Sequence, residues 1–187
     1  HGNIKEPIYR TGYDRNFWIW DKFDQNNQYL LTADVARGDG ADNSVFHVLK
    51  LNTMETVAEY QGKPTLDMYA KILFDAGMEY GGCLMVVENN GIGISILEKL
   101  VDLGYPNLYY SMKSTHEYVE AHQGESLDRA IPGFTTSTKT RPLVVAKLEE
   151  FIRNKMLTTY SSRLYHEFKT FIWNNGKPQA MRSYNDD

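Results

Sequence analysis

Four carboxylates in this 187-residue chain are distinguished by where they fall. Asp34 interrupts an apolar run from Tyr29 to Val35, and Glu88 lies near the end of a second run, LMVVENN, from Leu84 to Asn90. Asp186 and Asp187 are the last two residues. Leu30, Leu31 and Val35 in so short a stretch suggest a strand flanked on both faces. An acid buried there costs several kcal/mol unless a cation or partner compensates it. Taken alone, Asp34 is as well explained as a strand-end acid capping the adjoining turn, ARGDGAD, a common use of Asp. Three acidic sites far apart in sequence, on strand ends or helix starts, would converge as oxygen ligands for hard divalent cations.

No other grouping offers competing chemistry. The spacing supports neither a Ser-His-Asp nor a Cys-His arrangement. The lone Cys83 excludes an intrachain disulfide and a cysteine-rich zinc site, and suits a reducing compartment. His116 and His122 fit no standard zinc spacing, and His47, inside a strand pattern, reads as a packed residue. Asp39 and Asp42 are ordinary turn material, with Asp42 also a candidate outer acid. Asn89 and Asn90 read as caps of the helix that follows.

The net charge of −4 argues against a generally adhesive nucleic-acid binder. Its distribution is uneven: the first 104 residues hold 9 Lys and Arg against 15 Asp and Glu, and residues 105–185 hold 11 against 7. An acidic half able to host metals beside a basic half is compatible with a polyanionic substrate. Apolar runs are far shorter than the roughly 20 residues a membrane helix needs, and no signal peptide opens the chain.

The elements that must position the acids can be read in order. Residues 1–28, aromatic at Phe17, Trp18, Ile19, Trp20 and Phe23, form an entry segment packed on a single domain over 29–187. Tyr29–Val35, Ser44–Leu51 and Thr56–Gln61 read as three successive strands with connections short enough for antiparallel hairpins. Pro64-Thr65 starts a helix whose stripe is Leu66, Tyr69, Ala70 and Leu73. Leu84–Glu88 is a fourth strand. Ile94, Leu97 and Val101 line a second helix closed by Gly104. Leu108–Met112 is a fifth strand, and Ser114–Thr140 a long irregular loop. Pro142 opens a helix with Val144, Leu148, Phe151 and Ile152 facing the core. A short helix over Ser162–Thr170 and a hairpin over Phe171–Arg182, turning at Asn174-Asn175-Gly176, complete the chain.

Three antiparallel strands, a helix, a strand, a helix, a strand and further helices is the order of the ribonuclease H-like fold, although order alone leaves other α/β folds open. The acids narrow it, since that fold carries carboxylates on its first strand, at the end of its fourth and on a late helix, the places of Asp34, Glu88 and the Asp186/Asp187 pair. The expected α/β architecture is a central mixed five-stranded sheet flanked by helices, with a β-hairpin added near the C-terminus. YLLTADVARGDGADNSVFHVLKL, then VVENNGIG, then NDD closely resembles the C-terminal nuclease domain of tailed-bacteriophage terminase large subunits, from about Tyr29 to Asp187. The resemblance implies that Asp34, Glu88 and one or both of Asp186 and Asp187 bind divalent cations, Mg²⁺ or Mn²⁺, in a domain that cuts concatemeric viral DNA during genome packaging. Two departures stand out. Asn185 occupies the place where the family usually has His. The chain also has no GxxxxGK[ST] phosphate loop, so the packaging ATPase that the family carries upstream is not part of this sequence.

Two ions roughly 3.5–4 Å apart can activate water on one side of a phosphodiester and stabilise the leaving oxygen on the other. In this scheme Asp34 bridges both, Glu88 holds one, and Asp186, assisted by Asp187, holds the other. Candidate contacts to DNA are Arg37, Lys113, Arg129, Lys139, Arg141, Lys177 and Arg182. The resemblance also implies a portal and a small terminase subunit as partners, action in the host cytoplasm at the procapsid portal, and a 171–182 hairpin that gates the site. Two other readings share the acids: a structure-selective nuclease similar to Holliday-junction resolvases, and a non-catalytic module that docks DNA or capsid.

Overall fold

The computed structural model describes residues 4–37, 40–113, 118–120, 130–138, 140–174 and 177–180, excepting the side chains of 112–120 and 172–180. Strands β1 (Tyr9–Thr11), β2 (Phe17–Ile19), β3 (Tyr29–Asp34), β4 (Ser44–Lys50) and β5 (Glu55–Gly62) precede helix α1 (Leu66–Glu79), strand β6 (Leu84–Val87) and helix α2 (Gly93–Asp102). These six strands make one mixed sheet in the order β1-β2-β5-β4-β3-β6, in which only β3 and β6 run parallel.

The sheet differs from the expected five strands at both edges. The entry segment supplies β1 and β2, which pair onto β5. Leu108 touches the sheet through a single bridge to Met85, and the chain then turns away as β7 (Tyr110–Lys113). That strand pairs with β8 (Tyr118–Glu120) and with β9 (Ala130–Pro132) in a separate three-stranded sheet. Part of the supposedly irregular 114–140 stretch is therefore ordered strand.

One face of the large sheet is the core. Leu31, Ala33, Phe46, Val48, Tyr60, Met85 and Val87 point into it and meet Tyr69, Ala70 and Leu73 of α1. Each fully buried aliphatic or aromatic side chain there contributes about 1.5–3 kcal/mol. Thr65 caps α1, accepting from the Met68 amide as the sequence leads one to expect. The buried face of α2 is Ile96, Leu97 and Leu100, not the Ile94–Leu97–Val101 stripe; Ile94 and Val101 are about half exposed. Gly93 explains the phase: an added Cβ there would collide with the Glu88 carbonyl oxygen, so Gly93 faces inward and Ile96, Leu97 and Leu100 follow it.

The opposite face is polar and thinly covered. Trp18, Glu59, His47 and Thr32 lie in one row across β2, β5, β4 and β3. After α3 (Thr140–Arg153), helix α4 (Ser162–Thr170) lays Arg163 over this row. Arg163 Nε donates to Glu59 Oε1 at 2.6 Å, and its guanidinium stacks 3.6 Å from the Trp18 ring centre. His47 Nε2 lies 3.3 Å from Glu59 Oε2. Glu59 is 1% exposed, so this ion pair is the main compensation for a buried charge. The α3 stripe expected to face the core is not buried: Val144 is 51% exposed and Leu148 and Ile152 more than a third. The hairpin β10 (Phe171–Asn174) and β11 (Lys177–Ala180) pairs as expected. Among the described residues no helix is long and apolar enough to cross a membrane.

Two outcomes follow from the Glu59 pair. Arg163→Ala leaves the carboxylate buried without its guanidinium and should cost about 3–5 kcal/mol, a fall in Tm on the order of 10 °C by calorimetry. Burial alone would raise the Glu59 pKa, but His47 and Arg163 outweigh it and the net direction is down from 4.5. Because the folded state holds the carboxyl below its unfolded value, this contribution is complete above pH 4.5 and is lost as pH falls through the depressed folded value. Glu59→Gln should flatten the acid limb of the stability-pH curve; an unchanged limb would refute this account.

Candidate active site

The pairing of β3 with β6 sets the site. Leu30, Leu31, Thr32 and Ala33 stand opposite Leu84, Met85, Val86 and Val87 in parallel register, and the Glu88 amide donates to the Ala33 carbonyl at 3.0 Å. The next pair up is therefore Asp34 and Glu88, on neighbouring strands about 4.8 Å apart. Ala33 and Val87 point into the core, so alternation turns both acids to the other face of the sheet, at its open end. Asp34 is exposed, contrary to the expectation of a buried strand acid, because β3 is fully covered on one face only. Glu88 is half-buried.

Each acid has its backbone fastened. The Tyr69 hydroxyl of α1 lies 2.8 Å from the Asp34 carbonyl oxygen and 2.9 Å from that of Val45, linking the ends of β3 and β4 to the helix. Burial first, and then the nearby Asp34 carboxylate, hold the Tyr69 phenol well above its usual pKa, so it remains a donor. Around Glu88 the asparagines do not cap α2, whose N-cap is Ile92 without a side-chain bond. They tie instead to the end of β9 and the segment that follows it. Asn89 Nδ2 donates to the Pro132 carbonyl at 3.0 Å, and Asn89 Oδ1 accepts from Thr135 Oγ1 at 2.8 Å. Asn90 Nδ2 donates both to Glu88 Oε1 at 3.0 Å and to the Thr136 carbonyl at 2.9 Å. Phe134 pairs alongside Glu88 by one parallel bridge, its amide donating to the Val87 carbonyl and its carbonyl accepting from the Asn89 amide.

Gly133 makes that docking possible. Its φ of +86° is left-handed, and a Cβ on it would stand 2.5 Å from the Val87 carbonyl oxygen and 2.6 Å from Leu97 Cδ1. The contribution of Gly133, Thr135 and Thr136 was not legible in the sequence, where they lay in an unassigned loop. The one available signal was the ENN triplet, polar groups too numerous for a cap alone.

The other candidate residues are dispersed. Asp42 is exposed in the turn before β4, and Arg37 is exposed three residues beyond Asp34. Arg141 is the second residue of α3, five residues after Thr136, at a helix start where Ser137 and Thr140 bond reciprocally. Lys113 and Lys177 lie on β7 and β11 by backbone alone. Asp39, His116, His122, Arg129, Lys139, Arg182, Asp186 and Asp187 lie outside the described residues. Among the described residues no third acid, histidine or cysteine joins a pair to make a metal-binding group of three. Two oxygen donors side by side at an open sheet end do fit a hard cation as part of such a set.

No family model matches the chain, and no curated protein matches it by sequence. Solved structures do. The large terminase nuclease of thermophilic phage G20c with bound magnesium superposes with a TM-score of 0.72 at 17% identity, covering 99% of this chain and 87% of that one. The same nuclease with bound cobalt gives 0.70 at 17%, covering 98% and 87%. The large terminase nuclease domain of Thermus phage P74-26 gives 0.68 at 17%, covering 98% and 85%.

The chain has the large terminase nuclease fold. That fold contains the mixed sheet, its flanking helices and the parallel β3–β6 pair that carries the two acids. In this terminase-like fold the edge beside Glu88 depends on Gly133. Gly133→Ala should cost at least about 2 kcal/mol, against about 1 for Gly91→Ala, whose position is also left-handed but open. Chemical denaturation of both variants checks the ranking; equal losses would mean the docked segment does not support β6.

Proposed function

We propose that this chain is a divalent-metal-dependent endonuclease that cuts double-stranded DNA, in the role of a terminase nuclease trimming concatemeric viral genomes during packaging. The observation that carries this reading is the in-register placement of Asp34 and Glu88 at the open end of adjacent parallel strands, within a fold whose solved examples hold magnesium and cobalt.

Asp34 and Glu88 supply hard oxygen donors, and Asp186 with Asp187 would complete the set for two ions. When bound, Mg²⁺ or Mn²⁺ would activate the attacking water and offset charge on the phosphate and the leaving oxygen. The chain's own residues then have distinct tasks. Asn90 fixes the Glu88 carboxylate by holding Oε1, and its second bond to Thr136 keeps that amide from turning away. Tyr69 holds the end of β3 in place. Arg37, Arg141 and, on the second sheet and the hairpin, Lys113 and Lys177 are candidates to contact backbone phosphates, as are Arg129, Lys139 and Arg182. An upstream packaging ATPase, a small terminase subunit and a portal are the partners this role requires. The 171–182 hairpin is then the candidate gate.

The test is supercoiled plasmid with Mg²⁺ or Mn²⁺, with and without chelator. Asp34→Asn and Glu88→Gln should each lower cutting at least about 1,000-fold, since the charge stabilisation at stake is several kcal/mol. Without metal their Tm should equal or slightly exceed the parent's, because removing either charge relieves repulsion between neighbours. Cutting at the parental rate by Asp34→Asn would sink the proposal. Faster cutting of four-way junctions than of linear duplex would move the reading to a resolvase-like enzyme.

A further inference from the structure

A cleft of about 380 Å³ opens at the same end of the sheet as the acids, on the helical side. Its walls are Arg37 from the loop after β3, Lys63 and Thr65 from the β5–α1 connection, Asp67 from the first turn of α1, and Lys99 from α2. Three cations against one carboxylate leave it positive, within the half of the chain where acids outnumber bases. Several basic residues of that half are locally engaged: Lys50 with Asp21 and Glu55, Arg10 with Glu6, Lys71 with Asp75. Arg37 and Lys63 pair with no carboxylate among the described residues. Lys63 Nζ donates to the Gly40 carbonyl at 3.1 Å, a contact that holds it at the cleft without neutralising it. Lys99 reaches Asp67 at 2.5 Å, but Asp67 is 83% exposed, so water screens that pair strongly.

We propose that this cleft seats a backbone phosphate of the DNA whose scissile bond lies at Asp34 and Glu88. The inference rests on the nuclease reading and adds to it where the duplex runs. Arg37 follows Asp34 by three residues, so their Cα atoms are at most about 11 Å apart, a span of a few nucleotides. The helix forming one wall is itself tied to Asp34 through Tyr69. The guanidinium of Arg37 offers a two-pronged contact to phosphate oxygens, and Lys63 and Lys99 add point charges. Arg37 is exposed and Lys99 more than a third so, which suits a polymer that passes through rather than a small anion enclosed. Single exposed contacts are weak, but along a polyanion each adds counterion release.

Fluorescence anisotropy of a labelled duplex with the full chain in chelator, over a salt series, tests this. Arg37→Gln with Lys63→Gln should weaken binding severalfold and reduce the slope of log affinity against log salt by about 1.8. Asp67→Asn, which removes the one negative wall and releases Lys99, should tighten binding. Unchanged slope and affinity in the double variant, at parental Tm, or no tightening with Asp67→Asn, would overturn the cleft. If the parent cuts plasmid normally while these variants bind as it does, the cleft fails and the nuclease stands. If the cleft variants behave as expected but the parent never cuts, the nuclease reading fails instead. A parent that neither binds nor cuts removes both.

Discussion

Two carboxylates on adjacent strands about 5 Å apart repel each other by about 1 kcal/mol in water and about 3 kcal/mol where water is partly excluded. Asp34 and Glu88 therefore do not help β3 and β6 come together; the pairing has to be secured by everything else. Four residue pairs of the parallel ladder, with Leu31, Ala33, Met85 and Val87 buried beneath it, provide that security on the core side. Beyond Val87 the task passes to side chains and to a second segment of chain.

That arrangement separates strain from chemistry. The acids sit where the sheet ends and solvent begins, so neither carries the full penalty of a buried charge. The costs lie behind them. Gly133 is held in a left-handed conformation so that Phe134 can pair alongside the end of β6, and Gly93 lies so close to the Glu88 carbonyl that no side chain fits there. Both asparagines after Glu88 spend their amides on the segment so docked. The carboxylate is thus mounted on a backbone that is over-determined, although its own surroundings are open.

The other charged feature of this face follows the opposite logic. Glu59 is buried two residues below the row of the acids and is neutralised within the protein by Arg163, with His47 beside it. Its charge is answered inside the protein and shut away from solvent. Asp34 and Glu88 differ from it in position: they stand at the open end of the sheet, Asp34 exposed and Glu88 half-buried, whereas Glu59 is sealed beneath α4.

Much of this was legible in the chain itself. Apolar runs bounded by turn residues placed β3, β4, β5 and β6 within a residue or so of their limits, because each strand buries a continuous apolar row. Pro64-Thr65 announced α1, and Ser162–Thr170 was read as the helix it is. The paired positions of Asp34 and Glu88 could be anticipated from where they end their runs. Helix phase could not: α2 offers two apolar stripes sharing Leu97, and only the contact of Gly93 with Glu88 chooses between them. Nor could a stripe on α3 say what covers it. The partners of Asn89 and Asn90, some 45 residues away, and the cations gathered at the cleft depend on contacts between distant segments. Local pattern records which face of an element seeks burial, whereas which surfaces meet is decided only when the whole sheet is assembled.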